Sequence, residues 1–359
     1  MDTDSQARSS VLSRELALSF RREIVAPLFT SMYHGYDANQ IIGIRGVGLS
    51  NLLRFICERR AIAYHLGEMA TTTLLPVYLG ADPRYDTLDT TLVLCRVIAD
   101  SVYLQLRALQ WSIADRRLAQ NYATQLAACK NDIEAEVMLS DMLGGVGHAG
   151  QSRIALIFDD FDQLLVTLPT ATLRALRRLR DNHKHSLTYV TGTRSSLVAL
   201  AARQGASEPL SEKFTEIFRV QFWVPPYSER DARALVERRT VDGRVHLDDD
   251  QQADLYRVTG GHAKLLVAAL ACLNQRDLPW SSVSCILHDE PTLHNLCYDM
   301  WNDLESSEQA TLVALVYNRH EDVNYADLLQ LRHKGLVRGR PDGVFATVFE
   351  EFIRQCGAT

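Results

Sequence analysis

The residues able to do chemistry in this chain stand at the ends of apolar runs. Ile41 and Ile42 lead into Gly43-Ile44-Arg45-Gly46-Val47-Gly48-Leu49-Ser50, and an amphipathic run opens at Asn51. Residues 153–158 (RIALIF) run into Asp159-Asp160-Phe161-Asp162, and residues 187–190 (LTYV) run into Thr191-Gly192-Thr193-Arg194. A glycine-rich turn between a strand and a helix offers backbone N–H groups and the positive end of a helix, which together attract phosphate without any side chain. The pattern G-x-x-x-x-G-K-[ST] holds at every position of residues 43–50 except one, because Leu49 stands where lysine belongs. Ser50 supplies the hydroxyl that ligates Mg²⁺ in such a loop, and Asp159 supplies a carboxylate for the metal. Asp160 is the candidate for polarising a water, and Arg194 offers a charged donor fork to a terminal phosphate.

Loss of the lysine has a calculable consequence. That side chain bridges the β- and γ-phosphates and balances charge as the transferred group departs. A charged hydrogen bond is worth about 1.5–3 kcal/mol, so affinity should fall by about one to two decades. The backbone cradle and Mg²⁺ remain, so weak binding of ATP or ADP can outlast hydrolysis. Arg45 is the only cation inside the loop and the candidate replacement.

These groups need a scaffold. Residues 74–79 (LLPVYL), 153–158, 187–190 and 218–224 read as strands, the second an uninterrupted apolar run of the kind buried on both faces of a parallel sheet. Helical patterns alternate with them, at residues 13–29, 92–143 and 173–182, which predicts an open, mostly parallel α/β sheet with helices on both faces. Residues 1–10 read as disordered, and Gly144, Gly145 and the glycines to 150 as a connector. Beyond Ser228 the composition turns helical, starting on a Ser N-cap, and Gly260-Gly261-His262 opens the run AKLLVAALACL. The last segment reads as helices followed by two short strands around the turn R-P-D-G.

Bulk properties narrow the field. The chain has 359 residues, 47% hydrophobic and 23% charged, which suits an ordinary globular protein of two or three domains. A formal net charge of −6 argues against a dominant nucleic-acid or anionic-membrane surface. Seven scattered cysteines without C-x-x-C spacing, and no apolar run of membrane-spanning length, lead to the expectation of a soluble, cytoplasmic protein with reduced thiols.

The sequence resembles the signal-transduction ATPases with numerous domains (STAND) and their AAA+ relatives, including Orc/Cdc6-like and archaeal-type ATPases. GIRGVGLSNLLRF corresponds to Walker A, IALIFDDFD to Walker B, YVTGTR to the sensor 1 strand and GGHAKLL to the lid. The resemblance implies an N-terminal helical segment (residues 1–35), a P-loop NTPase-type core (36–227), a helical lid (228–298) and a C-terminal winged helix (299–359). It implies ATP or ADP with Mg²⁺ as cofactor, held by Gly43, Arg45, Gly46, Val47, Gly48, Leu49, Ser50, Asn51 and His262. The metal would lie on Ser50 and Asp159, and catalysis would use Asp160 and Arg194. Two departures weaken catalysis: Leu49 replaces the lysine, and the lid carries Ala263 where relatives have proline. Lys213 and Lys264 are the nearest substitutes for a second-site cation.

The resulting expectation is a pseudo-NTPase, a switch or scaffold subunit that works through protein contacts within a larger complex. A slow ATPase is the first alternative. DNA binding through the winged helix is the second, suggested by Arg332, His333, Lys334, Arg338 and Arg340. It is disfavoured because residues 300–359 carry six Lys/Arg against nine Asp/Glu. Trp223, Trp280 and Trp301 are expected to pack internally, since no basic residues interleave with them.

Overall fold

The computed structural model describes residues 16–35, 37–80, 82–146, 152–203, 214–240, 247–275, 290–339 and 343–356. The readings made for residues 1–10, for the connector at 147–150, and for Lys213, Trp280 and Arg340 fall outside them. The chain divides into two compact bodies. One comprises Arg22–Ile42 and Leu49–Phe222, the other Met1–Arg21, Gly43–Gly48 and Trp223–Thr359.

The first body is built on a sheet. Helix α1 (Arg22–His34) precedes β1 (Asn39–Ile42), and α2 (Leu49–Phe55) and α3 (Arg59–Leu66) precede β2 (Leu74–Tyr78). Three helices follow: α4 (Thr91–Ala108), α5 (Ile113–Ala128) and α6 (Asp132–Gly145). Then come β3 (Arg153–Phe158), α7 (Phe161–Thr167), α8 (Thr170–Asn182), β4 (Leu187–Thr193), α9 (Leu197–Arg203) and β5 (Val220–Trp223). The strand order is β2-β3-β4-β1-β5, and β2, β3, β4 and β1 pair in parallel, with Tyr78 opposite Ile157, Phe158 opposite Thr191 and Ile42 opposite Thr193. Every residue of β1, β3 and β4 is buried, as the apolar run of β3 predicts, and the buried polar residues Asn39, Gln40, Thr188, Thr191 and Thr193 lie in β1 and β4. The order sets the carboxyl ends of β3, β4 and β1 side by side, where open parallel sheets present ligand-binding groups.

Two readings sharpen here. The helical pattern over residues 92–143 resolves into three helices, each opened by its own cap: Thr90 accepts from Val93 N–H, Ser112 from Asp115 N–H, and Asn131 from Ile133 N–H. Among the described residues the first helix begins at Arg22, inside the run 13–29 that the pattern marked as helical. Arg21 breaks the run with a φ of 45°, and its guanidinium is drawn off to the carbonyls of Val47 and Pro225.

Among the described residues the second body is helical apart from one hairpin. It contains α10 (Glu229–Thr240), α11 (Asp249–Thr259), α12 (Ala263–Gln275), α13 (Pro291–Asn302), α14 (Ser306–Val316), α15 (Tyr325–His333), the antiparallel strands β6 (Val337–Arg338) and β7 (Gly343–Val344), and α16 (Thr347–Cys356). Helix α11 carries a reciprocal capping box between Asp248 and Gln251 and ends on Gly260 in the left-handed region. Side chains on Gly260 and Gly261 would run into Phe345 and the Tyr227 carbonyl, which explains the glycine pair. The closing helix α16 follows the hairpin. Its Val348, Phe349, Phe352 and Ile353 form one buried face, and Phe349 stacks on Phe352 with ring centroids 6.1 Å apart.

Candidate functional site

The loop Gly43–Gly48 belongs to the helical body, and its carbonyls are held there. Val47 N–H donates to the Ile44 carbonyl at 3.2 Å, and His262 Nε2 lies 2.9 Å from the Arg45 carbonyl. Lys264 N–H donates to the Gly46 carbonyl at 3.0 Å, and Arg21 donates to the Val47 carbonyl at 2.8 Å. Four consecutive carbonyls are thus fixed by hydrogen bonds, which sets the turn of the backbone. Gly46 and Gly48 adopt φ of 78° and 95°. A Cβ on Gly46 would lie 2.9 Å from Lys264 and 3.0 Å from the His262 ring, and one on Gly48 would lie 2.6 Å from the Tyr227 hydroxyl. Glycine is required at both positions by conformation and by space.

His262 is buried, at 1% exposure. A carbonyl can only accept, so Nε2 carries the proton toward Arg45, while Nδ1 accepts from Leu265 N–H at 3.3 Å. Burial depresses its basicity to about 4, opposed by the bond to Arg45 and assisted by the nearby charges of Lys264 and Arg21. Arg21 lies over the Tyr227 ring, 4.5 Å from its centroid. Neither Arg21 nor Tyr227 was singled out from the sequence. Arg21 sits more than twenty residues before the loop, in a stretch that read as ordinary amphipathic helix.

Arg45, the loop's own cation, is paired. Its Nε and Nη2 donate to the two carboxylate oxygens of Asp303, just past α13, at 3.1 and 3.3 Å. The basic cluster near the hairpin is largely spent on internal bonds. Lys334 is buried with Glu308, its Nζ 2.5 and 2.6 Å from the two carboxylate oxygens. Arg338 donates to the Tyr256 hydroxyl at 3.0 Å, and His333 stacks on Trp223 at 5.4 Å.

The acidic half of the constellation lies in the sheet body. Leu49, Ser50 and Asn51 open α2, and Leu49 folds onto the sheet, where the bare Cα of Gly192 in β4 leaves room for it and for Leu53. Asp159, at the end of β3, is 6% exposed. Its Oδ2 accepts the Tyr78 hydroxyl at 2.6 Å, its Oδ1 accepts Asp160 N–H at 3.0 Å, and its own carbonyl accepts the Tyr85 hydroxyl at 2.7 Å. Ser50, Arg54, Tyr78, Tyr85, Asp159 and Asp160 line one recess of about 280 Å³. Asp160 caps α7 in the left-handed region, with φ 43° and ψ 40°, a conformation Asp tolerates better than most residues. Arg194 lies 3.6 Å from Asp160 and 3.7 Å from Asp162.

The structure therefore brings Ser50, Asp159 and Asp160 to one recess and Arg194 to Asp160, and it places the Arg45 and His262 ring contacts in the helical body. Tested against a bound cation, the donor set is already engaged: Asp159 Oδ2 accepts the Tyr78 hydroxyl and Oδ1 accepts Asp160 N–H, so a cation at either oxygen has to share it with a donor in place. Among the described residues there is no cluster of three His, Cys, Asp or Glu side chains fit for a metal, and no helix long and apolar enough to cross a membrane.

No family model matches the chain, and no curated protein does. Solved structures do. The chain is similar to a Walker-type ATPase, PABY2304, of Pyrococcus abyssi, with a TM-score of 0.54 and 12% identity over 93% of this chain and 96% of that one. It is similar to the Aeropyrum pernix ORC2 protein in its ADP form, with a TM-score of 0.51 and 16% identity over 96% of each chain. For the same protein in ADPNP-ADP complexes the TM-score is 0.50 over 94% of each. The chain shares its fold with these proteins. At these identities the likeness concerns architecture, and it spans nearly the whole chain.

Proposed function

We propose that this AAA+-fold protein is a STAND-type pseudo-NTPase, a switch or scaffold subunit that binds ATP or ADP weakly and acts through contacts with other proteins. In this reading residues 1–35 form an N-terminal helical segment, 36–227 the core, 228–298 a lid and 299–359 a winged helix. The observation that carries it is the loop: its carbonyls are pinned and its glycines hold the turn, while Leu49 folds against Gly192 and presents no donor. A cradle of backbone N–H groups retains attraction for phosphate. Two candidate replacements for lysine are engaged elsewhere, Arg45 with Asp303 and Arg194 with Asp160 and Asp162. Leu49 removes the charge that the loop lysine supplies to phosphoryl transfer, so binding and turnover separate. The nucleotides bound by the A. pernix protein name the ligand class to try first.

The test is a calorimetric titration with ADP and ATP beside a phosphate-release assay. Weak binding with no release above the protein-free rate is expected. Leu49→Lys should tighten ADP binding about ten- to a hundredfold, the worth of one charged hydrogen bond. Brisk turnover by the unaltered chain would reject the reading.

A further inference from the structure

We propose that Tyr78 is a latch on the acidic strand end, and that it makes nucleotide binding by this chain independent of divalent cation. The inference rests on the nucleotide-binding reading above and concerns its metal requirement. Tyr78 closes β2, the strand beside β3, and its hydroxyl meets Asp159 Oδ2 at 2.6 Å, a short bond of the kind formed to an ionised carboxylate. The contact is built on several sides. Gly80 leaves the space it needs, since a Cβ there would lie 3.0 Å from the Tyr78 hydroxyl and 3.2 Å from Asp159 Cβ. The Arg54 guanidinium lies 5.2 Å from the Tyr78 ring centroid and covers its face. Tyr85 holds the Asp159 main chain, and Asp160 N–H occupies the second carboxylate oxygen.

The Tyr78 hydroxyl faces a carboxylate oxygen that can only accept, so Tyr78 is the donor. It supplies to the carboxylate the partner that a cation, or a water on that cation, would otherwise supply. A cation entering here has to share Oδ2 with a charge-assisted hydrogen bond or displace it, and the competition weakens its binding by about tenfold or more. The missing lysine and the latched carboxylate act in the same direction. Each removes one source of positive charge.

Two measurements test the latch, each on the full chain and on Tyr78→Phe. In the first, ADP is titrated with Mg²⁺ and with a chelator. The unaltered chain should give affinities within about twofold of each other, and Tyr78→Phe should acquire at least about a tenfold preference for Mg²⁺. In the second, Mn²⁺ alone is titrated and followed by electron paramagnetic resonance. Tyr78→Phe should gain a site that the unaltered chain lacks, and adding Asp159→Asn should abolish it. Tyr78→Leu serves in place of the Phe variant if thermal melting shows the latter misfolded. A strong Mg²⁺ requirement in the unaltered chain, or a Tyr78 variant that gains neither Mg²⁺ dependence nor a Mn²⁺ site, overturns the latch. If neither protein binds ADP, the nucleotide reading fails, and the Mn²⁺ titration decides the latch by itself.

Discussion

His262 gives the loop a measurable response to acid. Unfolded histidine takes up a proton near 6.5, but folded His262 does so only near about 4, chiefly because it is buried. Between those values the unfolded chain binds the extra proton. Stability present above pH 6.5 is therefore lost as the pH falls toward 4, at no more than about 1.4 kcal/mol per pH unit and about 3 kcal/mol in all. Denaturant melts at several pH values should show this slope, and His262→Gln should flatten it. Gly48 offers a second residue-scale test. A Cβ there meets the Tyr227 hydroxyl and the residue keeps φ at 95°, so Gly48→Ala should cost about 1–3 kcal/mol in a thermal melt. The glycines, Leu49 and the Asp159-Asp160 pair were legible from spacing alone. Tyr78, Arg21 and Tyr227 were not, because their partners lie tens to hundreds of residues away and a lone Tyr or Arg has no local signature.

At the scale of elements, strands were easier to read than helix boundaries. After Arg153 the run IALIF is apolar throughout, and burial on both faces of the sheet is the outcome such a run favours. The stretch 92–143 keeps helical spacing across its breaks, so only the caps at Thr90, Ser112 and Asn131 divide it. Helix α16 was passed over after the hairpin although its apolar residues repeat at helical spacing, since a short segment near a chain end reads weakly. Helices α14 and α15 are tied by a pair that no sequence pattern announces. Glu308 of α14 and Lys334, the cap of α15, are 4% and 7% exposed. Removing one partner strands a buried charge, so Lys334→Ala should cost about 3–5 kcal/mol, whereas Lys334→Met with Glu308→Leu should recover most of it. Chemical denaturation of the single and double variants measures the difference.

For the whole molecule, electrostatics bears on the DNA alternative. The net charge is −6, and the cations of the C-terminal segment are partly consumed inside: Lys334 by Glu308 and Arg338 by the Tyr256 hydroxyl. Counterion release needs cations that face solvent. Duplex DNA should therefore give no salt-sensitive gel shift at moderate ionic strength, and a steep salt-dependent shift would revive that reading. The loop Gly43–Gly48 groups with the helical body, while the helix it opens groups with the sheet. Cutting the chain after Phe222 should consequently free the loop, removing the His262 and Lys264 bonds to its carbonyls, and hydrogen exchange across residues 43–48 should quicken. Local order in the sequence was enough to determine a parallel α/β sheet with a glycine loop and acidic strand end, because period, turn chemistry and motif spacing are short-range properties. What those groups touch was decided by the tertiary structure alone. Leu49 against Gly192, Arg45 on Asp303 and Tyr78 on Asp159 are contacts between distant segments, and they depend on which strands and helices the packing makes neighbours.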